Sequence, residues 1–202
     1  MFISNILDSE PRGEVVRSES FNLEILVGED LRGYFKFPDD ARKYLSHLKE
    51  KLDQRQDQSE RVSLLGNIGV ILLHLRELDS AEKYLKESVK LILDEGLDSA
   101  IKVQQLLRLA NVYQWNKDFQ KANSLFNNTI LLCKTDESCD QYLDFAFQHY
   151  GKCLFDQSLF SEALKQFQEA LKIREIKGKA ELINSTEIAI SVTKHKIKMS
   201  DS

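Results

Sequence analysis

The sequence predicts an all-α solenoid of antiparallel helix pairs, and three observations carry that prediction. Ala81, Ala122 and Ala163 stand 41 residues apart, each followed four positions on by a large apolar residue (Leu85, Phe126 and Phe167). A second set keeps the same interval upstream: Leu65, Ile68-Gly69 and Leu72; then Leu106, Leu109-Ala110 and Tyr113; then Phe147, Tyr150-Gly151 and Leu154. Both prolines, Pro11 and Pro38, precede these copies, so everything from Asp39 onward lacks the strongest helix breaker. A fixed period of this length is the mark of a supersecondary unit that buries its apolar face only by stacking on its neighbours.

The elements follow in chain order. Phe21, Leu23, Ile25 and Val27 alternate with period two, Gly28-Glu29-Asp30 can turn, and Leu31 to Phe37 is rich in aromatics. That pattern reads as a β-hairpin or irregular arm. A degenerate helix is the other reading, because Phe21, Ile25 and Gly28-Glu29 also fall near helical spacing. Pro38-Asp39-Asp40 starts a helix, since proline is tolerated in a first turn and acidic residues favour it. Ala41, Tyr44, Leu45 and Leu48 give that helix its apolar stripe, and Gln54 to Glu60 is a polar link. Three helix pairs come next, broken at Arg76–Asp79, Asn116–Asp118 and Asp156–Ser158, with Asp79 and Glu82 spaced as a capping box. A last helix from Ala180 to Ile197 keeps the phase through Ile188 and Val192, and its polar remainder suits the solvated end of an array. The chain thus divides into an arm (1–38), a leading helix with its link (39–60), three pairs (61–98, 99–137 and 138–178) and a capping helix with its tail (179–202).

The interval has a packing reason. Gly69, Ala110 and Gly151 share one register position, as Ala81, Ala122 and Ala163 share another. Where two helices cross closely, only a small side chain leaves room for the partner's ridges.

Aromatic, then large-plus-small, then large, then Ala-x-x-x-Phe resembles the tetratricopeptide (TPR) repeat, and residues 144–174 carry it most fully. The chain is similar to bacterial TPR arrays whose repeats run near 40 residues. A 41-residue unit exceeds the usual 34 by about two helical turns, which keeps every contact in phase if each helix gains one. Leu65 and Leu106 stand where that family usually has tryptophan, and no proline closes a repeat. The resemblance implies a right-handed solenoid acting as a protein–protein interaction module, with first helices lining a concave groove that receives a peptide or a partner's surface. Carried over by position, the groove residues are Ser63, Gly66, Val70 and Leu73; Gln104, Leu107, Asn111 and Gln114; and Phe145, Gln148, Lys152 and Phe155. Asn111 and Lys152 fit the carboxylate clamp of the chaperone-binding branch, whereas Gly66 and Val70 replace its other half. Two further roles follow from the resemblance: a dedicated neutraliser or chaperone of one protein, such as an immunity protein for a toxin, and a sensor of a short signalling peptide. In the first of these, a hairpin arm could add a strand to the partner.

Composition narrows the function. A net charge of −4 does not fit a nucleic-acid binder, and the Lys-rich stretch 194–198 reads as a solvated helix end. No apolar run reaches the roughly 18 residues of a membrane span, and the first residues lack the basic leader of a signal peptide. Cys133, Cys139 and Cys153 are odd in number without zinc spacing, consistent with reduced thiols and a cytoplasmic protein. The sequence contains no HExxH, phosphate loop or Gly-x-Ser-x-Gly elbow, so the expectation is a non-enzyme without cofactor or metal. His47, His74, His149 and His195 are scattered, and each reads as a surface or boundary residue. Trp115 reads as half-buried packing near the end of a first helix, with a groove or edge hot spot as the other reading.

Overall fold

A computed structural model describes residues 2–5 and 21–200. Among them, three short strands, β1 (Phe2–Asn5), β2 (Glu24–Val27) and β3 (Gly33–Phe35), form an antiparallel sheet in the order β1-β2-β3. The arm is therefore a hairpin where the sequence left hairpin and helix open, with Ile25 opposite Phe35 and Val27 opposite Gly33. Strand β1, which the sequence reading did not anticipate, pairs with the other edge of β2. The remainder of the predicted arm, residues 6–20, lies outside the described residues.

Eight α-helices follow: α1 (Pro38–Gln54), α2 (Gln58–His74), α3 (Leu78–Glu95), α4 (Ser99–Trp115), α5 (Phe119–Thr135), α6 (Leu143–Asp156), α7 (Phe160–Lys177) and α8 (Ala180–Ser200). Pro38 and the acids Asp39 and Asp40 open α1, as their preferences require. Asp57, Asp98 and Asp118 cap α2, α4 and α5 by accepting from backbone N–H groups of the first turn. The expected capping box at Asp79 is not formed. Helix α3 begins at Leu78, which puts Asp79 inside the first turn, and Glu77 at its head makes no side-chain cap.

The turn inside each pair is the most regular feature of the chain. Arg76, Lys117 and Ser158, again 41 residues apart, adopt left-handed backbone with φ of 66°, 61° and 61°. In each, the next residue's N–H reaches back to the carbonyl of Leu72, Tyr113 or Leu154, closing a Schellman motif. None of the three is glycine, so each turn carries the strain that an L-residue has in this region. Between pairs the chain is less uniform. Gly96 and Gly178 end α3 and α7 in left-handed conformation, but after α5 a 3₁₀ turn (Glu137–Tyr142) intervenes and delays α6 to Leu143. The third pair thus starts later than the predicted Ser138.

Packing follows the 41-residue register. Ala81, Ala122 and Ala163 are fully buried, as are Leu85, Phe126 and Phe167. A Cβ on Gly69 would stand 2.5 Å from Leu85 Cγ, and one on Gly151 would stand 2.6 Å from Phe167 Cε1, so the small residue is what admits the large one. Helix α2 packs on α4 and α4 on α6, while each second helix leans on the first helix of the next pair. The first helices therefore form the inner wall of the curve. At its end, α8 buries Thr186, Ala189 and Thr193 and leaves Ile188 and Val192 half-buried. Both threonine hydroxyls donate to carbonyls one turn back, Leu182 and Ala189, which lets a polar residue occupy a dry face. The three cysteines are free and buried.

Candidate partner-binding face

The inner wall is built by α2, α4 and α6, and α4 and α6 bury several polar side chains. Gln105, Arg108, Gln114, Asp144 and Gln148 are all buried. Gln114 donates from Nε2 to Asp156 Oδ2 at 2.8 Å, linking α4 to α6. Asp144 accepts from Arg174 Nε at 2.9 Å and from Lys177, tying α6 to α7. Gln148 is different: its amide oxygen and nitrogen are both buried without a hydrogen-bond partner among the described residues.

The twelve predicted groove positions separate into three groups. Ser63, Gln104, Asn111 and Lys152 keep accessible surface, although the Ser63 hydroxyl is taken up by the Ser59 carbonyl of its own helix. Val70, Leu73, Leu107, Phe145 and Phe155 are buried apolar side chains, and Gln114 and Gln148 are the buried amides described above. Gly66 lies under Gln105 and Arg108 of α4, into which a Cβ would run, so it serves the α2–α4 contact. Burial and the nearby Arg174 push the Lys152 pKa down to about 8, while Asp156 and Asp30 oppose that shift. The same burial, with Lys152, Arg174 and His74 nearby, holds His149 well below the usual imidazole range.

Part of this face is covered by the hairpin, which the sequence did not place there. Leu31 at its tip is buried in a cluster with Leu154, Phe155, Ala163 and Phe167. Arg32 Nη2 donates to Asp156 Oδ2 at 2.5 Å and its guanidinium lies 5.6 Å from the Trp115 ring centroid. His74 sits edge-on between Phe35 and Trp115, with Nδ1 3.2 Å from the Gly33 carbonyl oxygen. As donor the ring is held neutral, since burial lowers its pKa to about 4. His74 is thus a packed residue at the joint between sheet and array, where the sequence suggested a surface or boundary role. Trp115 is half-buried, as expected, and Arg76 covers it from 4.1 Å. The signal for these residues is present in the chain, because His74, Trp115 and Asp156 are themselves 41 residues apart. It stays hidden when the interval is followed only through apolar and small positions.

The fold is that of TPR-like repeat proteins. The solved structure of BtubC (BKLC) from P. vanneervenii is similar with a TM-score of 0.59 at 15% identity, over 86% of this chain and 78% of that one. A Rap protein complexed with competence and sporulation factor gives 0.66 at 16% identity, over 80% of this chain and 48% of that one, so the present chain spans about half of it. A putative kinesin light chain from Podospora anserina with nearly identical TPR-like repeats gives 0.58 at 10% identity, over 81% and 83%. No protein-family model and no curated protein matches the sequence. Among the described residues there is no His/Cys/Asp/Glu group that could hold a metal and no helix long and apolar enough to cross a membrane.

Proposed function

We propose that this chain is a protein-binding module whose inner wall, chiefly the part formed by α4 and α6, receives an extended segment of a partner protein. One observation carries the reading: Gln148, almost wholly buried on the predicted groove stripe of α6, has neither its donor nor its acceptor satisfied among the described residues. Leaving such groups unpaired costs about 1–3 kcal/mol each, and an extended peptide backbone offers an N–H and a C=O to both. Phe145 and Phe155 on the same stripe supply apolar seats, and Asn111 and Lys152 supply polar contacts at the rim. A binding role also accords with the TPR-like fold, because a Rap protein of similar fold is complexed with competence and sporulation factor.

The test uses the full chain immobilised in an extract of its native cell, compared with Asn111→Arg, Lys152→Glu and, as a control on α3, Lys83→Glu. The expected result is a small set of proteins retained by wild type and by Lys83→Glu but reduced at least about ten-fold by the inner-wall variants. An identical set on all four would exclude the inner wall as the binding face.

A second reading rests on the sheet. Among the described residues strand β3 is an edge in the order β1-β2-β3, and Tyr34 on it and Phe37 beside it are exposed. A neutralised partner adding a strand there would be captured equally by all four chains and lost on Tyr34→Ser/Phe37→Ser, which removes the exposed side chains of that edge and leaves its backbone intact.

A further inference from the structure

The first helices of the three pairs end in His74, Trp115 and Asp156, one register position repeated three times. The hairpin tip crosses all three in order. The Gly33 carbonyl meets His74, the Arg32 guanidinium lies over Trp115 and bonds to Asp156, and Leu31 enters the Phe155 cluster beyond. Gln114 supports Asp156 from the neighbouring helix by donating to the same carboxylate oxygen. Glycine is needed at the first of these contacts, since a Cβ on Gly33 would stand 2.8 Å from His74 Cε1 and 3.0 Å from Nδ1. Three consecutive residues therefore touch three consecutive repeats.

Two features separate this from ordinary packing. Leu31 holds φ at 60°, a left-handed conformation costly for a non-glycine residue, because the tip turns tightly: the Gly28 carbonyl accepts from Leu31 N–H, and the Arg32 carbonyl accepts from Gly28 N–H. Arg32 Nε is buried with no hydrogen-bond partner among the described residues, so within them the arginine fills its seat with one donor unused. A hairpin constrained by its own turn occupies a place that a free extended chain would fill without that strain.

We propose that the row His74–Trp115–Asp156 is a docking site for an extended peptide carrying an aliphatic residue, an arginine and a glycine in succession, and that Leu31-Arg32-Gly33 hold this site in cis until such a segment displaces them. The proposal rests on the inner wall being the binding face and adds its ligand class and its gate. The arginine is read twice, by the Trp115 face and by the Asp156 carboxylate, which gives the site its chemical selectivity. Occupancy by the tip lowers the apparent affinity for any outside peptide in proportion to the fraction of time the site is open.

Trp115 is the only tryptophan in the chain and lies under Arg32, so its emission reports occupancy of the site. The experiment titrates the acetylated, amidated peptide EDLRGY into full-length wild type and into the vacated-tip variant Leu31→Ser/Arg32→Ser, with excitation selective for tryptophan. Expected are an altered Trp115 emission in the variant, its return toward wild type on titration, and binding at least about ten-fold tighter than to wild type. Replacing the peptide's arginine or glycine by alanine, or adding Asp156→Asn to the variant, should each weaken binding by a similar factor. Equal binding to wild type and variant, no binding to either, or binding indifferent to the arginine and to Asp156 would overturn the proposal. Circular dichroism verifies folding of the variant, and Arg32→Ala alone, which keeps Leu31 seated and vacates only the arginine position, supplies the arginine part of the comparison if the double change unfolds the hairpin. If EDLRGY fails while capture still depends on Asn111 and Lys152, the cis-held site falls and the inner-wall reading stands. Capture indifferent to those residues removes the inner-wall reading itself.

Discussion

The third helix pair differs from the first two at a place where the register makes them equivalent. The first pair buries Val62 and Ile92, the second buries Val103 and Cys133, and the third buries Asp144 and Arg174 at the same two positions. All six are shielded from solvent, so the interval fixes burial and leaves polarity open. The neighbours supply the reason for the change. Arg174 also donates to the Leu182 carbonyl at 3.2 Å and to Thr186 Oγ1 at 2.7 Å, so the charge that pairs with Asp144 also anchors α8. Pairs one and two stack on another full pair, whereas pair three stacks on a single helix with less apolar surface, and a hydrogen-bonded charge fixes its position instead. An ion pair in such a site stabilises little against an apolar pair of the same shape, but it makes the loss of one partner expensive.

The sharpest way to break the comparison is therefore asymmetric. Asp144→Val alone should destabilise by about 3–5 kcal/mol, because it strands Arg174 in a dry site. Asp144→Val/Arg174→Ile, which copies the first pair, should recover most of that loss in urea unfolding while loosening α8 in hydrogen exchange. A double variant as unstable as the single would show that the two charges do not act as a pair. Next comes the feature the pairs share. Gly151→Leu and Ala122→Phe should each cost about 1–3 kcal/mol through overpacking, with Phe167 and Phe126 displaced from their crossings. Unchanged melting temperatures in both would contradict the small-residue crossing.

Acid should next expose the joint between the first pair and the sheet. The His74 pKa falls from the usual imidazole value to about 4 in the folded chain, so the unfolded chain binds its proton first as the pH drops. The associated stability is fully present above about pH 6.5 and is lost as the pH falls towards 4. A tenfold change in proton affinity is worth about 1.4 kcal/mol, so the whole effect is on the order of 3 kcal/mol. Urea midpoints at pH 7 and pH 5 should fall further apart in wild type than in His74→Gln, and parallel shifts would remove His74 from the account. The smallest effect concerns the turns common to all pairs. Ser158→Gly should raise stability by about 0.5–1 kcal/mol, since glycine relieves the left-handed strain at φ 61° and gives back only part of the gain as chain entropy. A loss of stability would mean that the Ser158 side chain, exposed in the structure, contributes more than its backbone strain.

Residue by residue, the sequence determined the stacked helix pairs, because the interval of Ala81, Ala122 and Ala163 and of their large partners is a packing condition that survives without knowledge of distant contacts. Helix starts at Pro38 and at the aspartates Asp98 and Asp118 are equally local, being set by backbone groups within one turn. The hairpin was visible as alternation but not distinguishable from a short amphipathic helix until Ile25 and Phe35 were paired across the sheet. Two things required the tertiary structure. The Asp144–Arg174 pair joins residues 30 apart whose charges look like surface residues in the chain, and only their burial reveals them as core. The contact of Leu31, Arg32 and Gly33 with His74, Trp115 and Asp156 depends on where a sheet of period two comes to rest on an array of period 41. No local pattern encodes that meeting, because the energy that decides it is shared between residues 41 to 124 positions apart.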